Sequence, residues 1–284
     1  DEEAGGLVRS GKLVTDDDSE TIPVIKFIPR FVLTEGYAES FGMQWNIFKR
    51  TQLDSVNLTT ETRDRFYSGT RWSQEEMRTD RILEAGCGAG RFTEIMLGTG
   101  AAVYSFDYSG AVEACYENNN SDRLCLFQGD IYHVPFPDDY FDKVFCYGVL
   151  QHTPDPQRAF YSLVRHLKPG GKISIDCYLK DGKIQPWKSK YLWRPVTTMM
   201  DKQLLLKILR FYIPIWLPVD TLIKKIPYFG RFLGSVIPCW NYTGRIKGYK
   251  NIVEWAVMDT FDALAPKYDL PQTCEEVLTW FKKS

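Results

Sequence analysis

Long hydrophobic runs are missing from this sequence. No stretch approaches the roughly 18 consecutive apolar residues that a spanning helix needs, and no charged-then-apolar leader opens it, so neither a transmembrane segment nor a signal peptide is expected. Histidine is scarce: His133, His152 and His166 are the only three in 284 residues, too scattered to argue a metal site. The seven cysteines (Cys87, Cys115, Cys125, Cys146, Cys177, Cys239, Cys274) form no CxxC or Cys/His spacing. That disfavours a zinc site or a disulfide framework and points to free, buried thiols in a reducing compartment. A strong net charge is absent too, with 35 Lys+Arg against 36 Asp+Glu. What is present is 44% hydrophobic and 14% aromatic residues, enough for a full core. A disordered tail and a stapled miniprotein are excluded, and the length suits one large domain carrying a sizeable insertion.

The neutral total hides an asymmetry. From Lys183 to Lys250 thirteen basic residues stand against two acids, Asp201 and Asp220. The same stretch holds Trp187, Trp193, Trp216 and Trp240, half of the eight tryptophans. Pro214, Pro218, Pro227 and Pro238 are expected to break it into short helices. Basic residues mixed with aromatics and leucines describe a surface that rests on anionic lipid, while a self-association surface and an ordinary lid core are the alternatives. No nucleic-acid motif accompanies the charge, so no nucleic-acid partner is expected.

Beyond Asp80, short apolar strands alternate with helical stretches, the signature of a parallel sheet covered by helices. The expected strands are Arg81–Ala85, Ala102–Phe106, Leu124–Gln128, Lys143–Tyr147 and Lys172–Tyr178, and the helices Phe92–Leu97, Ala111–Asn118 and Gln157–His166. The chain therefore reads as an α/β, doubly wound, mainly parallel sheet whose ligand lies at the carboxyl ends of the strands. Four parts are expected: an N-terminal extension (1–36), the α/β domain (37–182), a basic aromatic helical cap (183–250) and C-terminal helices of the α/β domain (251–284).

The segment Glu84-Ala85-Gly86-Cys87-Gly88-Ala89-Gly90 ends the first of these strands and turns into a helix. Three glycines let the backbone turn tightly and approach a ligand closely. Asp107 closes the second strand, where a carboxylate can accept from both hydroxyls of a ribose. A dinucleotide fingerprint wants a residue with almost no side chain where this chain has Arg91. A nucleoside ligand without a phosphate fits better.

With Gly129-Asp130-Ile131, Phe141-Asp142-Lys143-Val144 through His152, and Leu167-Lys168-Pro169-Gly170-Gly171, these motifs follow one family's order. The sequence resembles the class I S-adenosylmethionine-dependent methyltransferases, within the methyltransferase type 11 or ubiquinone/menaquinone-biosynthesis-like group, closely over 80–178. The resemblance implies a Rossmann-like methyltransferase fold with S-adenosyl-L-methionine as cofactor and S-adenosyl-L-homocysteine as product. It implies that Glu84, Gly86, Cys87 and Gly88 line the methionine moiety, that Asp107 holds the ribose, and that Tyr108 lies beside the adenine. Asp130 and the Ile131 backbone would recognise the base, and Tyr147 and Gly148 would lie near the sulfonium. Gln44 and Trp45 resemble the element that closes over the cofactor. A helix cap is the competing reading of Asp130, and a core aromatic that of Trp45.

Transfer from a sulfonium needs mainly alignment, but a hydroxyl acceptor also needs a base. His152, just past the fourth strand, and more weakly Tyr147 are the candidates; a structural histidine in a proline-containing turn is the alternative reading. The expected function is methyl transfer to a small or amphiphilic acceptor, oxygen preferred. A nicotinamide-dependent oxidoreductase and a non-catalytic cofactor-binding protein are the rivals. The cap is expected over the acceptor side, with peripheral membrane contact through 183–250, in a cytoplasmic protein. The family's final antiparallel strand pair is missing, so a trimmed chain with a five-stranded sheet is expected. The N-terminal stretch resembles the remnant of a zinc-ribbon-like extension, but no cysteine precedes Cys87 and no metal is expected.

Overall fold

Five short apolar runs become the strands of one parallel sheet in the computed structural model, which describes residues 2–4, 7–14, 16, 20–34, 36–182 and 190–284. Ahead of that sheet, β1 (Glu2–Ala4), β2 (Leu7–Val14), β3 (Thr21–Ile25) and β4 (Ile28–Pro29) form a separate antiparallel sheet in that order. The expected extension is thus a built element. Beyond β4 the chain runs along the large sheet, where Phe31 N–H donates to the Gln128 carbonyl at 2.8 Å. Buried Arg30 binds the Gln128 side chain at 2.8 Å and Glu113 at 3.1 Å.

Four helices follow: α1 (Glu39–Ile47), α2 (Asp54–Asn57), α3 (Glu61–Thr70) and α4 (Gln74–Met77). Asp54 does the work of a cap for α3, accepting from the backbone N–H groups of Thr62 at 3.2 Å and Arg63 at 2.9 Å. The α/β core then alternates β5 (Arg81–Ala85), α5 (Arg91–Leu97), β6 (Ala102–Asp107), α6 (Val112–Asn118), β7 (Leu124–Gln128), β8 (Phe141–Cys146), α7 (Pro156–Val164) and β9 (Leu167–Ile175). Strand order is β7-β6-β5-β8-β9, all parallel. The last two strands begin and end earlier than expected, because Leu167 pairs with Phe141 before a register shift.

β5 is covered on both faces, which is why it reads as a continuous apolar run. Leu83 and Ala85 join Phe106, Phe141, Val144 and Phe160 in one core, while Ile82 joins Phe66, Trp72, Phe92 and Phe145 in another. The order of connections reverses between β5 and β8, and in open α/β sheets ligands bind outside the carboxyl ends of the strands at such a point. Gly90, φ +86°, lets α5 approach α6: a Cβ there would lie 2.2 Å from the Asn119 amide and 2.8 Å from the Cys115 sulfur. Close packing therefore falls on Gly90, not on the position of Arg91, whose guanidinium lies over the Phe92 ring instead. Gly90→Ala is expected to cost about 1–3 kcal/mol in urea unfolding, and an unchanged midpoint would contradict this packing.

The chain divides into two compact units, 1–180 with 268–284, and 181–267. The second unit holds α8 (Lys190–Thr197), α9 (Lys202–Ile223), α10 (Gly230–Ser235) and α11 (Tyr249–Leu264). Two expectations change here. The prolines do not break α9, which runs 22 residues through Pro214 and Pro218. A proline at 218 cannot donate to the carbonyl of 214, and the Tyr249 hydroxyl fills that position at 2.5 Å. Helix α11, expected with the α/β domain, packs against α9 and α8 in the second unit because Val257, Met258, Phe261 and Leu264 are buried there. Only α12 (Cys274–Lys283) returns to the first unit, where Trp280 meets Phe160. Lys183, Trp187 and Lys188 lie outside the described residues.

Candidate functional site

The carboxyl ends of β5, β6 and β8 bring most of the expected residues together. After Ala85 the chain turns at Gly86 (φ +78°) and Gly88 (φ +52°), and the N–H groups of Gly86 and Cys87 both donate to the Phe106 carbonyl. A Cβ at 86 would fall 2.1 Å from Val149, so this glycine is demanded by the loop after β8. At 88 it would meet the Trp45 ring at 3.2 Å, which places Trp45 of α1 directly over the turn. Cys87 turns its thiol into a cluster with Ile28, Val112, Cys115 and Leu126, so only its backbone faces the turn. Burial, followed by the neighbouring Cys115, pushes that thiol well above its usual range.

Asp107 is buried at the end of β6. Its Oδ2 accepts from Gly88 N–H at 3.0 Å, and its Oδ1 from the Ser109 N–H at 2.9 Å and hydroxyl at 2.7 Å. The Tyr108 backbone adds a further bond, so this carboxylate anchors the whole turn after β6. Burial raises its pKa despite those bonds. Glu84 is buried one strand away, where Oε2 accepts from Thr93 at 2.5 Å and Ser105 at 2.6 Å. Burial pushes Glu84 up to about 7, outweighing both hydroxyls.

Tyr108 is stacked under Tyr37 at 4.8 Å between ring centroids. Tyr37 also meets Tyr268 edge-on at 5.6 Å, and burial followed by the nearby charge of Asp130 raises its hydroxyl pKa. Asp130 opens a tight turn, accepting from Tyr132 N–H at 3.0 Å and lying 3.3 Å from His133. It caps no helix. The Ile131 side chain is in the core and its carbonyl accepts from Ser162 at 2.7 Å.

Tyr147 is held by Phe145, stacked at 4.4 Å, and by its hydroxyl's bond to Ser174 at 2.9 Å. Gly148, φ +75°, is exposed, its N–H donates to Asp176, and nothing lies within 4 Å of where its Cβ would be. Asp176 is fixed in turn by Arg65 at 2.6 Å.

His152 is buried in the turn Leu150–His152, between Phe41 at 5.0 Å and Tyr178 at 5.5 Å. Its Nδ1 lies 2.9 Å from the Tyr268 carbonyl. A carbonyl only accepts, so Nδ1 carries a proton and donates it to that bond. Gln44 is buried on α1.

Two residues were missed from sequence. Tyr37 lies seventy-one positions before its partner Tyr108, and only the folded chain stacks them. Gln151 is fully buried, yet both ends of its amide find no hydrogen-bond partner among the described residues. Such a group is costly to leave unpaired, which marks the turn as built for something further. Its position beside His152 was the one available signal. Among the described residues no cluster of side chains could hold a metal ion.

Residues 83–175 match the family described as a methyltransferase domain. A tRNA U34 carboxymethyltransferase from Nautilia profundicola is 35% identical over 106 residues, 36% of this chain and 35% of that protein. A ubiquinone biosynthesis O-methyltransferase from Thiobacillus denitrificans is 32% identical over 108 residues, 36% and 46% respectively. A sterol 24-C-methyltransferase from Gibberella zeae is 35% identical over 101 residues, 34% and 27%. The chain thus spans less than half the length of each of these relatives.

Proposed function

We propose that the protein is a class I S-adenosylmethionine-dependent methyltransferase that transfers a methyl group to a small or amphiphilic, lipid-like acceptor, with oxygen the preferred receiving atom, a reading supported by the match of residues 83–175 to a methyltransferase domain. The observation that supports the reading is the buried Asp107 carboxylate at the end of β6, whose bond to the Gly88 N–H ties the glycine turn to the strand end where a ribose would lie.

The residues present fit this cofactor. Glu84 offers a carboxylate to an ammonium group, Tyr108 and Tyr37 offer ring faces to an adenine, and Asp130 with the Ile131 N–H offers the polar contacts a base edge needs. Gly88 beneath Trp45 and the open ledge at Gly148 leave backbone where side chains would crowd a ligand. When bound, the sulfonium supplies a methyl on a leaving group already activated by its positive charge. The protein's task is then alignment and proton removal. His152 Nε2 takes the proton of an acceptor hydroxyl, while the Tyr268 carbonyl fixes the tautomer and Phe41 and Tyr178 hold the ring plane. Tyr147, its hydroxyl engaged by Ser174, serves as a wall beside Gly148.

The relatives above are named for tRNA U34, ubiquinone biosynthesis and a sterol. The lipid-like acceptor is favoured here by the aromatic walls around His152 and by the basic, aromatic composition of 183–250, which we also read as a peripheral membrane contact.

Calorimetric titration with S-adenosylhomocysteine tests the reading. Wild type is expected to bind, NAD is expected not to, and Asp107→Ala is expected to weaken binding about tenfold or more while loosening the turn. Equal affinity of Asp107→Ala and wild type would refute the assignment.

A further inference from the structure

α9 carries two apolar faces. One packs inside the second unit through Leu205, Leu209, Ile213 and Leu217. The other is exposed: Leu204, Ile208, Phe211, Ile215, Val219 and Leu222, with Phe211 at 74%, Ile215 at 64% and Leu222 at 65% exposure. At 3.6 residues per turn these six fall within roughly 80° of one another, on the side opposite the buried face. The stripe continues into exposed Ile226 and Phe229, and α10, packed on α9, adds exposed Phe232 and Leu233. Monomeric proteins rarely expose contiguous apolar surface of this extent.

The charges say what covers it. Exposed Lys207, Arg210 and Lys225 flank the stripe along one side. Over residues 202–253 the chain has nine Lys+Arg and a single acid, Asp220. That acid is buried and bound to Lys224 at 2.8 Å and Asn241 at 2.7 Å, so it cannot answer a partner's cations. A second copy seated on this face would set lysines and arginines against their own kind. No described helix is long and apolar enough to cross a membrane. A cationic margin beside an aromatic and aliphatic stripe suits the headgroup boundary of an anionic bilayer.

We propose that the exposed face of α9, extended by α10, docks the protein onto an anionic phospholipid surface. Phe211 and Ile215 enter the acyl boundary while Lys207 and Arg210 meet the phosphates. The inference rests on the lipid-like acceptor reading, naming the surface from which that acceptor would be drawn.

The experiment is vesicle co-sedimentation of the full chain with phosphatidylcholine alone and with added phosphatidylglycerol, at low and high salt. S-adenosylhomocysteine affinity is measured in parallel on every variant. Wild type is expected on acidic vesicles, about tenfold less on neutral ones or at high salt. Phe211→Asp combined with Ile215→Asp is expected to lose binding to both vesicle types, and Lys207→Glu with Arg210→Glu to lose only the acidic preference, each with unchanged nucleoside affinity. Wild type that binds the nucleoside but no vesicle overturns the proposal. So does vesicle binding indifferent to the Phe211 and Ile215 changes, or a concentration-dependent dimer that those changes dissolve. Vesicle binding without nucleoside binding would leave this surface standing and remove methyl transfer instead.

Discussion

Replacing His152 by Asn is expected to lower kcat about a hundredfold or more on a hydroxyl acceptor, with nucleoside affinity nearly unchanged. The choice of Asn follows from the geometry. Its amide N–H can take the place of Nδ1 toward the Tyr268 carbonyl, 2.9 Å away, so the tether between the Leu150–His152 turn and the segment after residue 267 is kept. That tether has a second strand, the Leu270 N–H donating to the Gln151 carbonyl at 2.8 Å, which the substitution leaves alone. Asn has no counterpart of Nε2 and cannot take up a proton. A purely structural histidine would be rescued by Asn, and full activity of that variant on a hydroxyl acceptor would show that reading to be right.

The sheet was legible in sequence because its strands are buried on both faces. Ile82 and Leu83 in β5, or Val144 and Phe145 in β8, need no partner to be recognised as apolar runs bounded by turns. The motif residues were legible for a related reason, since Gly86, Gly88, Asp107 and Gly148 sit where strand ends force them. Side-chain direction was not legible. Cys87 has the sequence position of a site residue, but its thiol is drawn toward Ile28 and Cys115, a choice made by a strand connection some sixty residues earlier. Asp107 likewise turns one oxygen onto its own loop, where Ser109, two positions on, donates twice to Oδ1. Pro214 and Pro218 misled in the opposite direction. The local rule that proline breaks helices gave way to burial of Ile213 and Leu217 and to a hydroxyl supplied by Tyr249.

Glu84→Gln is expected to stabilise the fold by up to about 3 kcal/mol at pH 8 while weakening nucleoside binding. Two hydroxyls, Ser105 and Thr93, share one oxygen of Glu84 and the Arg91 charge favours its ionised form, yet burial still lifts its pKa from the usual 4.5 to about 7. Between those two values the folded chain holds a proton that the unfolded chain has released. Stability therefore falls as pH rises from about 4.5 to about 7, and the whole cost is present above 7. Gln avoids that cost and can still accept from both hydroxyls. Urea unfolding at pH 5 and pH 8 reads the difference: the advantage of Glu84→Gln should be small at the lower pH and largest at the higher, and an advantage independent of pH would defeat the argument. The same burial gives the residue its use. An ammonium group placed beside Glu84 favours the ionised form, so binding S-adenosylhomocysteine near pH 7 should expel part of a proton. Calorimetry in two buffers of different ionisation enthalpy would register that proton in wild type and lose it in Glu84→Gln, whose weaker binding marks the stability given up to hold a charge ready for the cofactor's amine.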